Sequence, residues 1–314
     1  MQIESLKVFC DLVETQSFTK AARINHVTQS AVSQQISSLE RQFHSLLIER
    51  SKKQFRLTRE GKVLYDLSKK IVSTYERLQT EMQELKEIIS GTIRIATIYS
   101  IGLHSLQPYV KAFLRQHPTV NVHVEYRRSD KVYEDVLGNV VDFGLVASPH
   151  REPRLEVFVI WEEPMVVICS PEHPIARRRK IKLSALTGQR FVAFEADIPT
   201  RKMLDKVFRE HNVPVVPVME FDNVETVKRA VEINLGVSIV PRATVKGEAE
   251  KGSLAVVEVE DVPLMRPMGL LYKRGKVLST AMKEFIRLLR EKAPEDSRKA
   301  QDLPRVTKAL EAKG

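Results

Sequence analysis

The chain has 314 residues, with 50 Lys and Arg against 40 Asp and Glu and a net charge of +10, which leaves room for two or three domains with sizeable cores. Its two cysteines, Cys10 and Cys169, exclude a disulfide framework or a cysteine metal cluster and suit a reducing cytoplasm, where the protein is expected to reside. No basic–apolar–small leader pattern and no long apolar run occurs, so neither an export signal nor a membrane span is expected.

Leu6, Phe9, Cys10 and Val13 recur at i, i+3, i+4 and i+7 and predict a first amphipathic helix. Ser17 or Thr19 can cap a second helix, in which Ala21 and Ala22 permit close approach of a neighbour. Asn25 and His26 make the turn, with Asn25 the residue suited to a left-handed backbone. Thr28 caps a third helix. On a wheel of 3.6 residues per turn, Val32, Ile36, Leu39 and Phe43 fall on one side and Ser30, Ser33, Gln34, Ser37 and Arg41 on the other. A face of short hydroxyls and amides suits the major groove, where Gln bonds adenine and Ser meets several bases or phosphates. Gln29, in the first turn, can point end-on. Thr28, Gln29, Ser30, Ser33, Gln34 and Ser37 are therefore candidate DNA contacts, with an ordinary solvated face the alternative for any one of them.

Arg50, Lys52, Lys53, Arg56 and Arg59 follow with no acidic residue among them, as expected of a hairpin tip. Arg50, Lys52 and Lys53 can lie on phosphates, adding salt-dependent affinity that is largely blind to sequence; a solvated loop is the alternative.

A long helix is expected next. Leu64, Ile71, Leu78 and Leu85 repeat every seventh residue, with Tyr75, Met82 and Ile89 at the companion position. Such a seam calls for a partner helix, so Leu64, Ile71, Tyr75, Leu78, Met82 and Leu85 are candidate dimerisation residues. Packing against its own domain is the alternative. Gly91 is placed to stop the helix. A two-fold dimer would present two recognition helices to a partly palindromic site on double-stranded DNA.

From Thr92 strands and helices alternate. Strands are expected at Thr92–Thr97, Val120–Tyr126, Asp142–Ala147, Met165–Cys169, Arg190–Phe194, Met219–Phe221 and Val237–Val240. Helices are expected at Leu103–His117, Lys131–Leu137, Arg201–His211, Val224–Ile233 and Thr280–Arg290. This is an open α/β arrangement. Ligands in such folds sit at the carboxyl ends of strands, where helix N-termini offer N–H groups. Ser100 with the N–H groups of Ile101 and Gly102, Arg128 and Ser129, Ala147, Thr200 with Arg201, and Asn223 occupy those junctions; a helix cap is the alternative for each. Their hydroxyls, amides and arginines point to an anion. Cys169 is expected to be a buried structural thiol, because a redox pair is lacking. The exposed-looking run Arg177, Arg178, Arg179, Lys180 and Lys182 shows that much of the positive charge lies away from the DNA-reading segment.

Three segments carry a family resemblance: Ser17-Phe18-Thr19-x-Ala21-Ala22; Val27-Thr28-Gln29-Ser30-Ala31-Val32-Ser33-x-Gln35-Ile36-x-x-Leu39-Glu40; and Phe55-Arg56-Leu57-Thr58-x-x-Gly61. They resemble the signature of LysR-type transcriptional regulators, with departures at the groove-facing Ser30 and Gln34. The resemblance extends to about Glu291. It implies an α N-terminal winged helix-turn-helix (1–58) and a long linker helix (59–90), then a two-lobed α/β effector domain like a periplasmic binding protein (91–293). The tail (294–314), rich in charge and with Pro294 and Pro304, is expected to be loose, with a short helix near Val306 to Glu311. Lobe I would comprise 91–161 and 268–293, and lobe II 162–267. It further implies that a small effector binds between the lobes and governs promoter binding. The implied partners are a second copy of the chain, with tetramers usual in the family, and RNA polymerase as a possible further one. No enzyme, cofactor or metal is expected: GxGxxG, P-loop, HExxH and nucleophile-elbow patterns are missing, and the eight histidines are scattered. A solute-binding protein would lack the first 90 residues, and an architectural or ligand-independent DNA-binding protein would leave the α/β domain unexplained.

Overall fold

A computed structural model describes residues 2–51, 54–84, 89–291 and 298–299. Helices α1 (Ile3–Thr15), α2 (Phe18–Ile24) and α3 (Gln29–Gln42) form a tri-helical unit. Leu6, Phe9 and Leu12 of α1 pack on Ala21 and Ala22 of α2 and on Val32, Ile36 and Leu39 of α3. Ser17 caps α2, accepting from the Lys20 amide at 3.3 Å. The left-handed turn residue is His26 (φ 54°), not Asn25 (φ −93°). Asn25 instead ties the turn to α1, its side-chain amide donating to Asp11 Oδ2 at 2.8 Å and to the Ala21 carbonyl at 3.0 Å. Phe43 is also placed differently from the helical-wheel expectation. The helix ends at Gln42, so Phe43 leaves the buried stripe and is 42% exposed, while Leu47 and Ile48 complete the core.

Strands β1 (Ile48–Ser51) and β2 (Gln54–Leu57) pair antiparallel, Ile48 opposite Leu57 and Ser51 opposite Gln54. Thr58 then caps α4 (Arg59–Glu84), accepting from the Gly61 amide at 2.9 Å and donating to the Leu46 carbonyl at 2.6 Å. At 1.5 Å per residue, α4 is about 39 Å long. Leu64, Tyr65 and Val72 lean on the tri-helical core. Among the described residues no helix is long and apolar enough to cross a membrane.

The α/β domain is built on β3 (Gly91–Thr97), β4 (Val120–Tyr126), β5 (Phe143–Ala147), β6 (Leu155–Cys169), β7 (Lys180–Ile181), β8 (Arg190–Phe194), β9 (Val216–Phe221), β10 (Ser238–Pro241), β11 (Ala255–Val259), β12 (Met265–Lys273) and β13 (Arg298–Lys299). Its helices are α5 (Gln107–Gln116), α6 (Ser129–Leu137), α7 (Pro199–Glu210), α8 (Val224–Glu232), α9 (Lys246–Lys251) and α10 (Thr280–Glu291). The expected helix from Leu103 is broken: a π turn at Ile101–Ser105 gives way to α5, whose Pro108 tolerates only the first turn of a helix.

In lobe I the strand order is β4-β3-β5-β12-β6, with β3 parallel to both β4 and β5. β6 is one 15-residue strand where a short one from Met165 was expected; its first half pairs with β12 and its second half with β10 and β11. The chain thus passes into lobe II along β6 and returns along β12, with Pro164 opposite Met265 and Trp161 opposite Met268. Separate apolar cores fill the lobes, around Trp161 and Phe285 in the first and around Val167 and Ile239 in the second.

Candidate DNA-binding surface and effector cleft

Thr28 caps α3 through its hydroxyl, which accepts from the Ala31 amide at 3.2 Å and lies 2.8 Å from Ser30 Oγ. Thr28, Gln29, Ser30 and Gln34 are exposed together, with Ser33 and Ser37 half-buried beside them. Arg50 lies in β1 opposite Phe55. Lys52, Lys53 and Leu85 lie outside the described residues.

On α4, Ile71, Leu78 and Met82 are 43%, 53% and 51% exposed. Val63 and Leu67, which the heptad reading passed over, extend this stripe at 56% and 52%. Tyr75 is half-buried, and Leu64 turns to the tri-helical core.

Between the lobes lies a cavity of about 370 Å³. Three helices open onto it: α6 through Ser129 and Asp130, α7 through Ile198, Pro199 and Thr200, and α8 through Asn223 and Val224. Helix N-termini carry partial positive charge and amide hydrogens, so this convergence favours an anion. Ser100, Arg128 and Ala147 line the same cavity. Arg266, Lys202 and His150 do so as well, and sequence reasoning missed them. A lone arginine inside the apolar run of β12 was the available signal for Arg266.

Arg266 and Glu163 are each 2% exposed, where β12 and β6 pass between the lobes. Arg266 donates to Glu163 Oε2 at 2.5 Å and to Ser100 Oγ at 3.2 Å, while Ser105 donates to Glu163 Oε1 at 2.5 Å. The Arg266 Nε is buried with no partner. Ser100 therefore accepts from Arg266 rather than capping a helix, which leaves its own proton to donate.

Other expected site residues are arranged differently. The Ile101 and Gly102 amides donate to the Ile98 carbonyl at 3.2 and 3.0 Å, because the π turn folds back on itself; neither residue lines the cavity. Arg201 is held by Asp205 at 2.9 Å, Glu220 at 2.8 Å and the Phe194 carbonyl at 2.6 Å, and is likewise outside the lining. Asn223 caps α8, accepting from the Glu225 and Thr226 amides at 3.0 and 3.1 Å.

Arg128 and His104 each bridge the lobes. Arg128 reaches Glu195 at 2.7 Å and Asp197 at 2.8 Å, and these hydrogen bonds hold its guanidinium more firmly charged. His104 meets Glu225 at 2.8 Å. Burial would raise the Glu225 carboxyl, yet hydrogen bonds from His104 and Lys228 outweigh it and hold it below the ordinary value. Cys169 is fully buried, and burial raises its thiol to about 11, which makes it inert.

Residues 3–62 match the bacterial regulatory helix-turn-helix protein, lysR family, and residues 86–294 match the LysR substrate binding domain. The chain belongs to the LysR family. It is a transcriptional regulator, not an enzyme, that binds DNA through its helix-turn-helix and answers to a small-molecule effector. The RuBisCO operon transcriptional regulator of Allochromatium vinosum is 31% identical to this LysR-family chain over 286 residues, covering 91% of it and 94% of the relative. The transcriptional activator CmpR of Synechocystis is 29% identical over 284 residues, covering 90% and 93%. Full-length OxyR from Pseudomonas aeruginosa shares the fold with a TM-score of 0.70 at 21% identity, over 93% of this chain and 94% of that one. The Synechocystis CcmR regulatory domain, in complex with 2-PG, gives a TM-score of 0.59 at 23% identity over 66% of this chain and 99% of its own.

Proposed function

We propose that this regulator binds a small anionic effector in the cleft between its lobes, and that it reads a partly palindromic promoter site as a cytoplasmic homodimer. The observation that carries the anion is the convergence of three helix N-termini on a cavity whose floor holds the buried Arg266. Ser100, Ser129 and Thr200 supply hydroxyls around the ligand, and Arg128 supplies a second cation at the rim. The CcmR domain holds 2-PG and the QuiR effector domain holds shikimate, in keeping with a small molecule in this kind of cleft. Thr28, Gln29, Ser30, Ser33, Gln34 and Ser37 read the major groove, and Arg50, Lys52 and Lys53 rest on phosphates. The apolar stripe of α4 buries itself against a second copy, and pairs of dimers and contact with RNA polymerase extend this assembly.

Thermal unfolding of the full chain against a panel of phosphorylated and carboxylated metabolites tests the effector reading. A ligand at 100 times its Kd adds about 2.7 kcal/mol. The stabilising compound is expected to lose its effect in Ser100→Ala and Thr200→Ala. A panel in which only cations or neutral compounds stabilise the protein overturns the anion.

A further inference from the structure

Helices α1 and α4 face lobe I across a second cavity, of about 340 Å³, bordered by Lys7, Asp11, Glu14, Lys69, Arg94 and Lys273 among others. Polar contacts cross this junction, and two of them join α1 and the turn before α3 to lobe I. Lys273, the last residue of β12, donates to Glu14 Oε2 of α1. The other oxygen of Glu14 accepts from the Tyr65 hydroxyl at 3.1 Å and lies 3.3 Å from the Lys69 ammonium. Burial would raise the Glu14 carboxyl; Lys273, and then Lys69 and Tyr65, reverse this and hold it below the ordinary range. In the second contact Arg94 of β3 lies 2.8 Å from His26, the turn residue just before the recognition helix. The Arg94 amide is fixed by Asp142 at 2.8 Å, and Asp142 in turn pairs with Lys276 at 3.0 Å.

The Glu14 contact ends on a strand with a particular course. β12 carries Arg266 at its cleft end and Lys273 at its far end, and it is paired with β6 from Met265 to Lys273, with one bulge where Ile160 of β6 is skipped between Met268 and Gly269. Seven residues at about 3.3 Å each separate the two cations by roughly 23 Å of strand. The bulge falls on β6, and across it Met268 to Leu271 are also paired with β5, so β12 itself runs unbroken and movement at Arg266 is carried towards Lys273.

We propose that β12 is the lever that connects the effector cleft to the DNA-binding domain, and that Glu14–Lys273 is its releasable fastening. Only the input end, at Arg266, rests on the effector reading above. The fastening sets the orientation of α1 and α3 relative to lobe I, so its loss weakens specific DNA binding. An ion pair beside a cavity suits such a joint, since interfaces of modest, polar character allow domains to move. The competing role for Glu14 is a staple within the DNA-binding domain through Tyr65 and Lys69, and that role does not involve Lys273.

The test uses the full chain and a duplex selected from random sequence by the wild type. Lys273→Gln, Lys69→Gln and the conservative Lys273→Arg are compared by DNA anisotropy and by hydrogen exchange over residues 3–15. The expected result for Lys273→Gln is a three- to tenfold loss of specific affinity, unchanged non-specific affinity and faster exchange. Lys69→Gln should keep its DNA affinity, and Lys273→Arg, which keeps the charge, should retain most of the specific affinity that Lys273→Gln loses. Wild-type behaviour of Lys273→Gln, equal losses in both Gln variants, or tighter specific binding would overturn the proposal. Inorganic phosphate in the millimolar range probes the input end. Phosphate that stabilises the wild type but leaves its DNA affinity unchanged also overturns the lever. Phosphate without any effect counts against the anion reading, while the Lys273 result still decides the fastening.

Discussion

Replacing Arg266 by Met should destabilise the effector domain severely, and the structure sets the scale. Arg266 and Glu163 are both 2% exposed, and Glu163 would lose its cationic partner while keeping the Ser105 hydroxyl. Removing one partner of a buried ion pair costs about 3–5 kcal/mol, because the remaining charge stays desolvated. In a domain of this size, each kcal/mol moves the midpoint by about 2–4 °C, so Tm should fall by roughly 6–20 °C. Removing both charges is different. Arg266→Met with Glu163→Leu eliminates the orphaned carboxylate and leaves only the Ser100 and Ser105 hydroxyls unmatched, at about 1 kcal/mol each. The double variant should therefore recover most of the lost stability and still fail to bind the anion. Calorimetry of the full chain checks the first point, and titration with the stabilising metabolite checks the second. A loss below about 1 kcal/mol in Arg266→Met would show that water reaches this pair in spite of its burial. A double variant as unstable as the single one would place the cost in packing rather than in unpaired charge.

Asp11, 4% exposed, has its carboxyl raised from 3.8 to about 6 by burial, with the Asn25 hydrogen bond pulling the other way. The folded state then binds the proton more tightly than the unfolded one, so this group loses stability as pH rises from about 4 to about 6. Asp11→Asn should be more stable by ~1–3 kcal/mol at pH 7 and equal to the wild type below pH 4, as read by urea unfolding at the two values. Gln34→Ala should lower specific DNA affinity by ~1–3 kcal/mol with little effect on non-specific binding. Lys52→Ala with Lys53→Ala should weaken binding to all sequences and reduce the salt slope by about 0.9 per lost phosphate contact. Ile71→Asp with Leu78→Asp places two charges in the α4 stripe, and sedimentation should show a monomer; an unchanged oligomer would move the interface elsewhere.

What the sequence made legible was local and periodic. Val32, Ile36 and Leu39 declare the buried face of α3 because helical spacing depends on neighbours along the chain. Ser17 and Thr28 declare their helices for the same reason. The junctions at Ser100, Ser129, Thr200 and Asn223 follow from strand-to-helix order, and the fold does bring them to one cavity. Where local rules compete with distant partners, the sequence is silent. His26 takes the left-handed turn because Asn25 has a partner in Asp11, fourteen residues away. Arg201 sits beside Thr200 in sequence, yet Asp205 and Glu220 draw it out of the cleft. Arg266 lies far along the chain from Ser100, and only the return of β12 joins them.

The two cleft arginines, Arg128 and Arg266, would divide the work of the proposed switch by their burial. Arg128 and its acceptor Glu195 are about 40% exposed, and pairs of that kind contribute about 0–1 kcal/mol. An anion entering the cleft can take Arg128 from Glu195 and Asp197 at little cost, so the rim exchanges partners easily. The buried Arg266–Glu163 pair cannot, since separating it would strand a charge. Effector binding should therefore rearrange the rim while the hinge pair stays intact and transmits the displacement as a unit. A ligand shifts such an equilibrium only by the difference between its affinities for the two states. On the proposed anion reading that difference resides at Arg128, whose carboxylate partners belong to the opposite lobe and would be surrendered to the ligand.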